Sequence, residues 1–193
     1  MTVYLGDKAV GVNTIVEKEV AKTKFGASVD TWIGDVDENG VLQKTTWTGA
    51  LNFAGVKEIR TQGLYYAFYG CTGITSVDLS SLQSVENTGL QKTFQGCSSV
   101  MSVDLSNLSE VSGAYACQST FYGCEGITRV DFPALTVVSS ASALGSSSTN
   151  GMFAYCNNLA EIHFRADAQA TIEALSGYSS KFGAKNATIY FDL

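Results

Sequence analysis

The chain of 193 residues is short of several things at once: it has one histidine, His163, one proline, Pro133, and only 16% charged residues. A lone histidine excludes multi-histidine metal sites and most triads in which an imidazole acts as general base. No apolar run approaches the roughly 18 residues of a membrane-spanning helix. Met1 to Lys8 lacks the basic start and apolar stretch of a secretory signal, so the expectation is a soluble chain with no cleaved leader. Positive charge is scarce too, 12 Lys+Arg against 18 Asp+Glu for a net −6, which leaves no electrostatic footprint for nucleic acid. Apolar residues, by contrast, make up 45% of the chain, and a chain this apolar and this weakly charged folds.

Five cysteines are present, Cys71, Cys97, Cys117, Cys124 and Cys156, with no CxxC pair. An odd count in a chain of this size argues against a disulfide framework. Their spacing points to a repeat instead. Phe68-Tyr-Gly-Cys71-Thr-Gly-Ile74-Thr-Ser-Val77-Asp-Leu79-Ser-Ser-Leu82-Gln-Ser-Val85 is one unit. It recurs from Phe94 through Cys97, Val103-Asp104-Leu105 and Leu108 to Val111, and again from Phe121 through Cys124, Val130-Asp131-Phe132 and Leu135 to Val138. Phe153 to Phe164 opens a fourth unit, after a small, Ser-rich insertion over 139–151. An apolar-x-apolar triplet thus starts at Leu51, Val77, Val103, Val130, Ile162 and Ile189.

Such a triplet is a half-buried strand of period 2. One strand cannot bury its face alone, but coils stacked about 4.8 Å apart give every apolar column a neighbour above and below. Leu82 and Val85 mark a second inward segment on the other side of the coil, and Phe68, Phe94, Phe121 and Phe153 fill its interior. These stretches are too short between turn signals to be helices. The sequence therefore predicts a repeat solenoid: a right-handed superhelix, α+β, of mostly short parallel strands with few helices.

The pattern Phe-x-x-Cys-x-x-apolar-x-x-Val-x-Leu-x-x-Leu-x-x-Val resembles the BspA-like leucine-rich repeat over about residues 51–164. Two departures are visible. The unit here is 26–27 residues, longer than the family's common unit, and Pro133 is the only survivor of the proline usual after the strand. The resemblance implies a binding or adhesion role in bacterial surface and host contact.

A solenoid needs capped ends, which divides the chain into an N-terminal cap over 1–48, repeats over 49–164 and a C-terminal cap over 165–193. In the first cap Val3-Tyr-Leu5 reads as a strand, Asn13 to about Phe25 as a short helix with Ile15, Val16 and Val20 inward, and Ser28 to Ile33 as one helical turn. In the last, Asp167 reads as the N-cap of a helix to about Gly177, with Ile172 and Leu175 facing the stack and Ile189-Tyr-Phe191 closing the sheet.

Candidate chemistry is sparse. Asp35-Val-Asp37-Glu-Asn39-Gly40 resembles the first half of a calcium loop, but Thr46 stands where the loop needs its bidentate Glu. The missing ligand favours a hairpin turn at Asn39-Gly40. The middle residues of the triplets, Asn52, Asp78, Asp104, Asp131, His163 and Tyr190, point outward. Three stacked carboxylates repel by on the order of 1 kcal/mol per neighbour in water, which a solvated face tolerates; the functional alternative is an acidic strip that receives a basic segment. Ser76, Ser102 and Arg129, one step earlier, vary as surface residues do, and specificity could be written there. The repeat cysteines read as a buried column, whereas Cys117 has no counterpart in the other coils and could be exposed, which leaves a Cys117–His163 pair as the one enzymatic idea. Tyr65, Tyr66, Tyr69, Tyr115 and Tyr122 lie in the connecting segments, as partly buried stems or as an aromatic strip.

The sequence thus favours a non-enzymatic module that binds a protein or a glycan through the exposed repeat surface, with candidate contacts Asp78, Asp104, Asp131, Ser76, Ser102, Arg129, His163 and Asn52, and with no cofactor or metal. The alternative is a structural or receptor-binding component of a phage-like particle. The corresponding locations are a bacterial surface or a virion.

Overall fold

The computed structural model describes residues 3–5, 8–10, 14–16, 48–53, 55–175 and 182–193. The possible calcium loop at Asp35–Asn39, most of the expected N-terminal helix and the Ser28–Ile33 turn lie outside them.

The chain begins with an antiparallel pair, β1 (Val3–Leu5) and β2 (Lys8–Val10), in register Val3↔Val10. Strand β3 (Thr14–Val16) follows where a helix from Asn13 was expected. Its short β-branched run, Thr14-Ile-Val16, suits a pleated surface. Each coil then supplies two strands: β4 (Thr48–Asn52) and β5 (Val56–Ile59), β6 (Gly73–Asp78) and β7 (Ser84–Glu86), β8 (Ser102–Asp104) and β9 (Glu110–Ser112), β10 (Arg129–Phe132) and β11 (Val137–Val138). Strand β12 (Glu161–Phe164), a 3-10 turn (Ala166–Ala168), helix α1 (Gln169–Glu173) and β13 (Thr188–Phe191) end the described chain.

Two columns of parallel strands result. The second inward segment forms a five-stranded sheet in the order β11-β9-β7-β5-β3, so β3 extends the stack at its N-terminal end. The triplet column was expected to be continuous, but it is two three-stranded sheets, β4-β6-β8 and β10-β12-β13. Within each the register is that of the repeat: Val77↔Val103 and Asp78↔Asp104 in one, Asp131↔His163 and His163↔Tyr190 in the other. Phe53 N–H donates to Asp78 O at 2.9 Å and Leu79 N–H to Asp104 O at 3.0 Å. Among the described residues no equivalent bond joins Leu105 to Asp131. Val103 is accordingly half-buried, whereas Val77 and Val130 are buried.

The interior is one cluster of apolar side chains running the length of the stack. Phe68, Phe94, Phe121 and Phe153 form a ladder with successive centroid distances of 5.4, 5.3 and 5.5 Å and nearly parallel rings. Thr93 and Thr120, wholly buried, donate their hydroxyls to Leu64 O and Leu90 O in the preceding coil, at 2.7 and 2.9 Å.

The connecting segments are neither helix nor strand. Their amides alternate between two acceptors. Leu64 and Phe68 N–H groups reach Gly89 O and Thr93 O of the next coil, at 2.8 and 2.9 Å, while Ala67 and Cys71 turn back to Leu64 O and Phe68 O, at 3.0 and 3.2 Å. Gln62, Tyr66, Lys92 and Ser119 hold left-handed φ values of 60°, 57°, 57° and 54°. That conformation costs a non-glycine residue roughly 1–2 kcal/mol, and the cross-coil bonds stabilise it here.

At the C-terminal end Asp167 is not the cap of α1. The segment opens with the 3-10 turn, so Asp167 sits inside it, the N-cap of α1 is Ala168, and the carboxylate accepts from Arg165 Nε at 2.9 Å. Ile172 is buried and Leu175 packs on the core, as expected.

Candidate functional site

The outward positions of β6, β8 and β10 meet where the triplet column divides. A shallow groove of about 620 Å³ lies there. Its rim is Ser76, Asp78, Ser102, Asp104, Arg129 and Asp131, and Val77, Val103 and Leu105 form its apolar floor.

The three aspartates differ in what holds them. Asp78 Oδ1 accepts from Ser80 N–H and Asp104 Oδ1 from Ser106 N–H, both at 2.9 Å. These are turns in which the side chain takes a backbone donor two residues on. The second residue after Asp131 is Pro133, which has no N–H to offer. Asp131 Oδ1 instead accepts from Arg129 Nε at 2.8 Å, and Arg129 also reaches Glu161 at 3.5 Å. The hydrogen bond it donates to Asp131 holds the Arg129 guanidinium more firmly protonated. Proline at 133 thus converts the third step of an acidic column into an ion pair, leaving Asp78 and Asp104 as the groove carboxylates without a cationic partner among the described residues.

Six of the eight expected contact residues therefore come together on one groove. Asn52 is exposed on β4, one coil away, in register with Asp78. His163 departs from expectation. By parity it belongs to the outer face, but it is only 6% exposed. Tyr190 stacks on its ring at 4.6 Å, Asp192 meets Nδ1 at 2.7 Å and Glu161 meets Nε2 at 3.3 Å. The later strand β13 and the residues after it cover the ring, so His163 does not line the groove.

Cys117 also departs from expectation. It is fully buried, with the Thr120 hydroxyl as its side-chain partner, and burial pushes its thiol up to about 12. It stands four residues before Phe121, as Leu64 and Leu90 stand before Phe68 and Phe94, and so occupies a leucine column rather than the cysteine column. Its amide makes the same cross-coil bond, to Ala143 O at 2.7 Å. Both nitrogens of His163 are engaged by carboxylates, and the structure does not bring the two residues together. A thiol that stays protonated near neutral pH in an apolar site is a poor nucleophile.

The other four cysteines are buried, as expected. Three of these thiols are also donors, a role not expected from the sequence: Cys97, Cys124 and Cys156 reach carbonyl oxygens of Phe68, Phe94 and Phe121. Among the described residues no group of three or more His, Cys, Asp and Glu side chains is placed to hold a metal ion, and no helix is long and apolar enough to cross a membrane.

Stacked parallel coils, a phenylalanine ladder and a variable outward strand face define a leucine-rich repeat solenoid. Residues 55–147 match the BspA type leucine rich repeat region in six copies, and this array is a leucine-rich repeat of that type. Arrays of this kind are in general protein-binding and adhesion scaffolds. Among solved structures, a leucine-rich repeat protein of T. pallidum is similar at 15% identity and a TM-score of 0.38, over 86% of this chain and 81% of its own. One from Bacteroides ovatus is similar at 18% identity and a TM-score of 0.32, over 70% of this chain and 46% of its own. No curated protein matches the chain.

Proposed function

We propose that the chain is a non-enzymatic binding module of a bacterial surface or host-contact system, its repeat array closed by caps over 1–48 and 165–193, and that the groove across β6, β8 and β10 receives a protein segment bearing lysine or arginine. The observation that carries this reading is the groove itself, where Asp78 and Asp104 stand on adjacent paired strands above an apolar floor. Two carboxylates about 5 Å apart on a solvated face present a negative potential that attracts a cationic side chain. The apolar floor suits the methylene stem of that side chain.

Asp78→Asn and Asp104→Asn test the charge without disturbing the fold, because Asn keeps the Oδ1 acceptor for Ser80 and Ser106. At low salt the double variant should bind lysine- and arginine-containing peptides at least tenfold more weakly than the unaltered chain. Asp131→Asn, whose carboxylate Arg129 already neutralises, should change binding far less. Equal affinity of the double variant and the unaltered chain sinks the proposal.

A further inference from the structure

We propose a second site on a different face: a tyrosine strip along the connecting segments that binds an acidic polysaccharide. Five tyrosines from three coils contribute. Tyr65 and Tyr66 meet edge to face at 4.5 Å, Tyr66 and Tyr69 lie 5.4 Å apart, and Tyr122 and Tyr155 lie 4.7 Å apart. Tyr69 and Tyr122 directly follow Phe68 and Phe121 of the stacked ring ladder, so they hold equivalent positions two coils apart and place the two groups along one row. Tyr69 and Tyr155 are 48% and 43% exposed, so ring surface is open to solvent at both ends of the strip.

Two cations sit on these rings. Lys92 Nζ donates to Tyr66 Oη at 2.6 Å and lies 5.0 Å from that ring's centroid. Lys185 Nζ lies 5.9 Å from the centroid of Tyr155. The segments 61–72, 87–99, 113–126 and 139–158 carry two charged residues, Lys92 and Glu125, and Glu125 lies near Cys156. With Lys185 the balance is positive, in a chain whose net charge is −6. The strip is a local cationic, aromatic surface on an acidic protein.

The chemistry favours a sugar chain over a protein. The exposed large apolar side chains on these segments are all tyrosines, Tyr69, Tyr115 and Tyr155, and these segments carry no exposed leucine, isoleucine or methionine among the described residues to form the apolar centre of a protein interface. A tyrosine ring gives a flat surface for the C–H face of a pyranose and a hydroxyl for its oxygens. Rings and cations arrayed along successive coils fit an elongated, repeating ligand. The two lysines add charge complementarity to carboxylate or sulfate groups on that chain.

The test is affinity electrophoresis of the full chain through gels holding hyaluronan, heparin or dextran, which separate carboxylate, sulfate and neutral sugars. Hyaluronan, heparin or both should retard the chain, and dextran should not. Tyr69→Ala and Tyr155→Ala should each weaken that binding about tenfold while Tyr69→Phe retains it, and Lys92→Gln should weaken it severalfold. Circular dichroism and thermal unfolding identify the variants that remain folded. The groove variant carrying Asp78→Asn and Asp104→Asn should bind polysaccharide undiminished, so this site and the groove stand or fall separately. Failure of both hyaluronan and heparin to retard the chain, equal retardation by dextran, or full affinity in a folded Tyr69→Ala, Tyr155→Ala double variant overturns the proposal.

Discussion

The thiol of Cys97 donates to the carbonyl oxygen of Phe68, one coil back, at 3.1 Å. The same bond recurs from Cys124 to Phe94 at 3.2 Å and from Cys156 to Phe121 at 3.0 Å. The repeat cysteine is therefore a small side chain that fits an apolar column and also supplies a donor to a carbonyl at a coil's turn. Phe94 O also accepts from Cys97 N–H at 3.1 Å, so Cys124→Ala removes one of its two donors along with a buried sulfur, which should cost about 1 kcal/mol of stability. The urea midpoint reads it directly; an unchanged midpoint means that the contact contributes nothing.

Burial also predicts an alkaline weakness. Cys97, Cys117 and Cys156 are pushed from 9.0 to about 12, and Cys124 is raised as well, in each case chiefly by burial. A folded-state pKa above the unfolded value means that the unfolded chain loses its proton first. The contribution is fully present below about pH 9 and is lost as pH rises from there towards 12. Each thiol contributes a slope of roughly 1.4 kcal/mol per pH unit inside that window. Unfolding free energy measured between pH 8 and 10.5 should fall steeply, and Cys117→Ala should flatten the fall by one thiol's share. In native protein at pH 8 a disulfide reagent should find almost no thiol, and all five after denaturation.

Two glycines separate two kinds of constraint. A Cβ on Gly89 would stand 2.7 Å from Glu86 O and 2.8 Å from Ile59 O, both backbone atoms that cannot yield easily. Gly89→Ala should cost about 3 kcal/mol. Gly70 has open space around it but a φ of +72°, so Gly70→Ala should cost about 1 kcal/mol through backbone strain alone. Reversal of that order in thermal denaturation would contradict the packing at Glu86.

The division of the triplet column makes a local prediction. Leu79 N–H is bonded to Asp104 O, whereas Leu105 has no such bond to Asp131. Hydrogen exchange at Leu105 should be at least tenfold faster than at Leu79. Similar protection at both would mean that β8 and β10 pair in solution and that the groove closes.

Much of the fold was legible because its period is short. Val77-Asp78-Leu79 alternates by one residue, its copies fall 26 or 27 residues apart, and no other arrangement buries both apolar positions in every copy. The break between β8 and β10 was not legible, since Val103 and Leu105 are as apolar as Val77 and Leu79 and only the pairing geometry distinguishes them. Asp78, Asp104 and Asp131 were legible as outward residues by parity, and Ser76, Ser102 and Arg129 by their variation between coils. Parity failed for His163, because a ring on the outer face is sealed by Tyr190 and Asp192, which follow it by more than two dozen residues. Cys117 failed for a different reason. Connecting segments obey neither the strand nor the helix period, so its place in the leucine column shows only when the copies are aligned on Phe68, Phe94 and Phe121 rather than on the cysteines. Asp131 could have been set apart from Asp78 and Asp104 by Pro133 alone, once the aspartates are recognised as turn residues.

Every second amide of a connecting segment is committed to the coil that follows, and every strand of the two columns to the one beside it, the break between β8 and β10 excepted. Nothing in that bonding counts coils. A duplicated block of residues 87–112, one repeat unit long, would find on its neighbours the acceptors that residues 87–112 already find, and would lengthen the molecule by about 4.8 Å. The repeat is in this sense a ruler: each added unit would lengthen the strand face and the connecting-segment face by the same step, so the reach of both is set by the number of units.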